Sequence, residues 1–183
     1  MVSMSGLSRV VSHALRHEPW LYELELDDAG WVGVDELIGA VRGSGPEWST
    51  VDRGLLERMV AESSKQRHEI SGDRIRALYG HSLPGLLLRE VGVPPDRLLH
   101  GTNRSAAELI EESGLLPMGR QFVHLSVDRD TAVQVGRRKG GELVVLSVLA
   151  REAHSDGVSF FVGNASVWLA LAVPPQFVTS IDC

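Results

Sequence analysis

The stretch from Leu98 to Ser126 limits what this chain can fold into more than any other. Leu98-Leu99 runs into His100-Gly101-Thr102, and Phe122-Val123 runs into His124-Leu125-Ser126. Each is a short apolar run ending in polar residues, the pattern of a strand rather than a helix. Between them Ser105-Ala106-Ala107-Glu108 fits a capping box, in which the Ser and Glu side chains satisfy early backbone N–H groups. Gly114 supplies a left-handed residue to stop that helix. Strand, helix and strand in this order put His100, Thr102, His124 and Ser126 at strand ends, where polar side chains face a cleft. A lone histidine is more often inert than functional; two of them on strands flanking one helix strengthen the functional reading.

With 183 residues, the chain has room for one large domain or two small ones. No apolar run approaches the roughly eighteen residues of a membrane span, and Met1 to Gly6 lacks the basic and apolar parts of a signal peptide. The single cysteine, Cys183, can form neither an internal disulfide nor, alone, a metal site. A cytoplasmic protein is expected. The net charge is −6, and both halves are acidic: residues 1–95 carry 10 basic and 14 acidic groups, residues 96–183 carry 8 and 10. An anionic ligand must therefore be held by a local cluster rather than by a general field. Only Lys65 and Lys139 are lysines; the other 16 basic residues are arginines, suited to bidentate phosphate contacts. Genome base composition is the competing explanation for the arginine bias.

In the first half, Leu7, Val10, Val11, Ala14 and Leu15 recur at helical spacing, with Ser5 as N-cap and an end near Arg16-His17 before Pro19. Leu24 to Val34 alternates around the turn Asp27-Asp28-Ala29-Gly30, which predicts a hairpin. Asp35 caps a short helix through Leu37, Ile38 and Val41, and Ser49 or Thr50 caps a third through Leu55, Leu56, Met59 and Val60. Arg67 to Ile70 and Arg74 to Leu78 flank Ser71-Gly72-Asp73 as a second hairpin. Three helices with hairpins in this order suggest a winged-helix unit, which can bind nucleic acid or serve as a plain interaction module.

Val93-Pro94-Pro95 is a stiff connector, so the domains are placed at 1–92 and 96–183. Beyond Ser126 the sequence predicts a helix near Asp130 to Val135 ended by Gly136, then a basic turn, Arg137-Arg138-Lys139-Gly140-Gly141. Strands follow at Leu143 to Val148, Val158 to Val162 and Val167 to Val173. Two short helices among strands make this half, and the chain, α+β.

Three cationic places invite phosphate. Arg16-His17 stands at a helix end, where helix-terminus electrostatics is the competing explanation. Lys65-Gln66-Arg67 enters the second hairpin, and Arg120 precedes Phe122-Val123; for these a solvated surface competes. The chain has no Walker-type loop and no Rossmann glycine fingerprint. It also lacks metal-ligand spacing and a nucleophile elbow. An enzyme of this composition works through positioned cations.

Taken in order, Leu15-Arg16-His17, Leu26-Asp27 with Gly30-Trp31-Val32, Lys65-x-Arg67, Ile75-Arg76-Ala77 with Gly80-His81-Ser82, Leu99-His100-Gly101-Thr102, Val123-His124-Leu125-Ser126 and Val167-Trp168-Leu169 resemble the RNA 2′-phosphotransferase family from about Leu7 to Pro175. The resemblance implies an N-terminal winged-helix RNA lobe and a C-terminal lobe like the ADP-ribosyltransferases that binds NAD⁺. It implies a catalytic quartet at Arg16, His17, Arg67 and Arg120. Cofactor contacts fall at His100, Gly101, Thr102, His124 and Ser126, and no metal is involved. The chain departs from the family pattern at His68, where an aromatic is usual, at Phe122, where a histidine is usual, and over Asn164 to Leu169, which has an extra residue.

The implied reaction moves an internal RNA 2′-phosphate to NAD⁺ in two steps. The phosphate first attacks C1″ and expels nicotinamide; the 2″-hydroxyl then attacks phosphorus, giving 2′-OH RNA and ADP-ribose 1″,2″-cyclic phosphate. NAD and RNA carrying a 2′-phosphate are the expected partners of a monomeric enzyme. Two other readings stay open: an ADP-ribosyltransferase that modifies nucleic-acid phosphate ends or a small acceptor and stops there, and a winged-helix binding module without catalysis.

Overall fold

A computed structural model describes residues 2–181, so Cys183 lies outside the described residues. Six α-helices and two antiparallel sheets among these residues make the protein α+β. The chain divides into two compact units, Met1–Leu88 and Arg89–Cys183, so the Val93-Pro94-Pro95 connector belongs to the second.

In the first unit, α1 (Met4–Arg16) begins at Ser3, whose side chain accepts from the Gly6 N–H, rather than at Ser5, which lies inside the helix. Leu7, Val11, Ala14 and Leu15 form its buried stripe at three- and four-residue spacing. Burying a side chain such as Leu15 contributes about 1.5–3 kcal/mol, which fixes the helix end that carries Arg16. A one-turn 3₁₀ segment, Pro19–Tyr22, follows and ends in Glu23 at φ 54°.

The first predicted hairpin does not form as such. The Asp27 carboxylate accepts from the Ala29 and Trp31 N–H groups at 3.0 and 2.8 Å, a local turn that leaves residues 24–26 outside any strand. Only β1 (Trp31–Gly33) is extended, and it pairs with β3. Helix α2 (Val34–Gly43) has Gly33, not Asp35, at its N-cap. Asp52, not Ser49 or Thr50, caps α3 (Arg53–Ala61) by accepting from Leu55 N–H at 2.8 Å. β2 (His68–Ser71) and β3 (Arg74–Ala77) form the predicted hairpin around Gly72, which takes φ 58°. The sheet order is β1-β3-β2. Leu37 and Val41 of α2, Leu56 of α3 and Ile75 of β3 close the core on the α1 stripe.

The second unit is built on a six-stranded sheet with order β7-β8-β5-β4-β6-β9. β4 (Leu98–Asn103) pairs with β6 (Leu143–Val148) along its whole length, but with β5 (Val123–Ser126) only at Leu99↔Ser126. β5 pairs with β8 (Val167–Ala170), β8 with β7 (Phe160–Val162), and β6 with β9 (Val178–Ile181). Helix α4 (Arg104–Ser113) is capped by Asn103, accepting from Ala106 N–H at 3.0 Å, so Ser105 is not its cap; Gly114 ends it at φ 74°, as the sequence predicts. Helix α5 (Arg129–Arg137), capped by Asp128, contains Gly136 rather than ending at it. A third helix of this unit, α6 (Ala150–Ser155), and β9 have no counterpart in the sequence reading.

Two glycines let α5 lie directly on β4. A Cβ at Gly101 would stand 1.7 Å from the Ala132 carbonyl oxygen, and one at Gly136 would stand 3.0 Å from the Thr102 nitrogen. Residues 90–92 run beside β7: Val162 N–H donates to the Glu90 carbonyl and Gly92 N–H to the Phe160 carbonyl, each at 3.0 Å. Among the described residues no helix is long and apolar enough to cross a membrane.

Candidate functional site

The first unit brings together Arg16, His17 and Arg67. Arg16 is the last residue of α1 and His17 its C-cap. The helix end is held from one side by the 3₁₀ segment, because His13 Nδ1 shares a 3.1 Å hydrogen bond with the Tyr22 hydroxyl and His13 Nε2 lies 3.0 Å from Glu18. The Arg16 guanidinium does not turn back onto its own helix; it donates to the Arg67 carbonyl at 3.1 Å and lies 5.3 Å from the centre of the Tyr79 ring. Helix-terminus electrostatics therefore does not account for where it points. Gly80 lies beside this side chain and is glycine for its φ of 88°, since a Cβ there would only touch Arg16 Nη1 at 3.5 Å. Ser82 completes the cluster: its N–H donates to the Arg16 carbonyl at 2.9 Å and its hydroxyl shares a 2.8 Å bond with His17 Nδ1. Gly80-His81-Ser82, a motif without an assigned role in the sequence, thus orients two of the three candidates.

His68, one residue beyond Arg67, is buried and bonded to the Ser12 hydroxyl at 3.1 Å. Burial, with the positive charges of Arg16 and Arg67, pushes its pKa down to about 3. An aromatic would suit that buried position; the neutral imidazole takes its place.

In the second unit, His100 and Thr102 lie two residues apart on β4 and so on one face. They are mid-strand rather than at a strand end, and Thr102 is fully buried, as Ser126 nearly is. The His100 Nδ1–H donates to the His124 carbonyl at 3.0 Å, where β4 and β5 have already stopped pairing. That bond fixes the tautomer with Nε2 as acceptor. Burial, then the nearby Lys139 charge, lowers the His100 pKa to about 4, so the ring is neutral at pH 7. Arg120, exposed in the loop before β5, places Nη1 3.2 Å from His124 Nδ1; a guanidinium only donates, so Nδ1 accepts. Ser126 is the last residue of β5, paired with Leu99 and Val167. Gly101, between His100 and Thr102, lies against α5, where a Cβ would meet the Ala132 carbonyl oxygen.

By sequence, Lys139 belongs to a basic turn. Its ammonium reaches back to β4, 3.2 Å from the Thr102 hydroxyl and 3.4 Å from His100 Nε2. Nothing local announces this, because α5 separates the turn from β4; only the presence of one of two lysines among arginines was visible. Among the described residues, no group of three or more His, Cys, Asp or Glu is placed to hold a metal ion.

Residues 3–172 match the model of the family described as RNA 2'-phosphotransferase, Tpt1 / KptA. A protein of Acetivibrio thermocellus named "Probable RNA 2'-phosphotransferase" is 46% identical over 178 residues, 97% of this chain and 97% of that protein. Proteins of the same name from Bacillus thuringiensis subsp. konkukian and Streptomyces coelicolor are 48% and 41% identical, across 95% and 94% of this chain and 94% and 92% of their own lengths. A match of this extent means that the chain belongs to the RNA 2′-phosphotransferase family.

Proposed function

We propose that this protein is an NAD-dependent RNA 2′-phosphotransferase, with Met1–Leu88 as a winged-helix RNA lobe and Arg89–Cys183 as an ADP-ribosyltransferase-like NAD lobe. The observation that carries the reading is the Arg16–Arg67–His17 cluster. The Arg16 guanidinium donates to the Arg67 backbone carbonyl, and the charges of both arginines oppose protonation of His68, so two cations gather where a multiply charged oxyanion can be seated. A 2′-phosphate is such an oxyanion; with a second pKa of about 6 it is already ionised at neutral pH and needs no general base.

The donor set of the second unit fits NAD⁺. His100 is held neutral in a single tautomer, Thr102 offers a hydroxyl, and the charged groups nearby, Arg120 and Lys139, are cations. NAD⁺ supplies an electrophilic C1″ carrying nicotinamide as leaving group. The work left to the chain is alignment and charge compensation. Arg16 and Arg67 hold the phosphate, and His17, oriented by Ser82, donates to it or takes the 2″-hydroxyl proton. Arg120, steadied by His124, is the second unit's fixed cation for phosphate charge.

The test is incubation with an oligonucleotide carrying one internal 2′-phosphate, with and without NAD⁺. The expected products, only when NAD⁺ is present, are the 2′-OH oligonucleotide and nicotinamide. An oligonucleotide that keeps its phosphate and gains ADP-ribose would replace this reading with the transferase that stops early; no conversion would remove both.

A further inference from the structure

Lys139 is the group of the second unit whose setting the reaction as outlined does not explain. It follows the C-cap of α5, in a turn continued by Gly140 and Gly141 at φ 70° and 76°. A cation near a helix C-terminus is ordinarily favourable, but that account leaves the ammonium in water. Here it is turned inward onto a hydroxyl and a neutral imidazole nitrogen, and among the described residues it pairs with no carboxylate. Burial and the nearby Arg120 charge both lower its pKa, which means that both work against the charged form. A neutral donor could tie the turn to β4 just as well without that cost. An ammonium has three donors; His100 and Thr102 take two, leaving one. A cation held on two neutral partners, with a donor to spare and a second cation close by, is the arrangement expected where an anion completes the site.

We infer that Lys139, with Arg120 as the second cation, seats the diphosphate of the bound dinucleotide. This rests on the NAD reading above and adds to it the residue that recognises the two bridging phosphates. The bond to Thr102 and His100 keeps the ammonium in place beforehand, so the ligand meets a preformed site.

Calorimetric titration of the full chain with NAD⁺, ADP-ribose and adenosine tests it, comparing wild type with Lys139→Gln, which keeps a donor and loses the charge, and with Lys139→Met. Affinity for NAD⁺ and ADP-ribose should fall about 10- to 100-fold in both variants, the worth of one charge-assisted hydrogen bond. Affinity for adenosine, which has no diphosphate, should be unchanged. Inorganic diphosphate should compete with ADP-ribose on the wild type. If wild type binds ADP-ribose and Lys139→Gln binds it equally well, or if adenosine affinity falls to the same degree, the inference is wrong while the NAD reading stands. If wild type binds neither NAD⁺ nor ADP-ribose, both are wrong.

Discussion

In Met1–Leu88 the candidate groups sit where elements stop; in Arg89–Cys183 most of them sit inside strands. Arg16 and His17 close α1, and Arg67 precedes β2, so each side chain stands at the margin of an element rather than inside one. His100 and Thr102, by contrast, are successive same-face residues of the strand that joins β6 to β5, and α5 lies on that strand's other face with no room for a Cβ. The difference teaches where substitutions should act. At element ends function can be removed with the fold left standing, whereas on β4 the site and the core share one backbone.

The largest effects test the first half of that comparison. Arg16→Ala and Arg67→Ala should each lower turnover of 2′-phosphorylated RNA by about 10²–10³, the usual loss for one fixed donor to a charged transition state, with unchanged thermal melting. Lysine at either place should rescue poorly because it lacks the planar fork. Full activity in either alanine variant, or loss of the fold, would break the contrast.

Gly101→Ala tests the other half. A methyl 1.7 Å from the Ala132 carbonyl must push α5 off β4, at a cost of about 3 kcal/mol or more. Amide exchange should speed up in β4, α5 and β6 and stay unchanged in β2 and β3; protection lost equally in both units would mean that they do not unfold separately.

Acid sharpens the comparison through two histidines held neutral at pH 7, the buried His68 in the first unit and the partly buried His100 in the second. Both pKa values lie below the usual 6.5, so the unfolded chain binds the extra protons. Stability is then level above about pH 6.5 and falls as pH drops, by about 1.4 kcal/mol per pH unit for each histidine. The His100 contribution should level off near pH 4 while the His68 contribution continues toward pH 3. Denaturation followed by amide exchange in each unit should show both units weakening as pH falls below 6.5, the first through His68. His68→Gln should flatten its slope.

The smallest effect belongs to Glu23, a non-glycine residue at φ 54°. Glu23→Gly should stabilise the first unit by about 0.5–1 kcal/mol, the left-handed strain relieved less the entropy glycine adds to the unfolded chain. A destabilised variant would show that the Glu23 side chain makes up for its backbone.

What could be read from the sequence divides along physical lines. The β2–β3 hairpin and the Gly114 stop were legible because alternation and a left-handed glycine are local signals. Helix starts were displaced by a few residues wherever several Ser, Asp or Asn residues compete: Asn103 rather than Ser105 and Asp52 rather than Ser49 or Thr50 won by reaching the right N–H. The alternation of Leu24 to Val34 misled because Asp27 satisfies the turn amides itself. The motif residues of the site could be named, but not the cross-chain contacts that give them geometry. Arg16 to Arg67, Ser82 to His17 and Lys139 to Thr102 each join places 37 or more residues apart.

Residues 90–92, bonded to β7, have a consequence for solubility. β7 is the last strand on its side of the sheet, and those few residues occupy hydrogen-bonding groups that would otherwise be open to another chain. A fragment beginning at residue 96, where the proline connector suggests a cut, would lose this cover and bare the Phe160–Val162 edge. One beginning at Arg89 would keep it. The first fragment should form concentration-dependent β-rich aggregates that the second does not, so the strip of chain ahead of the prolines works as a guard against self-association.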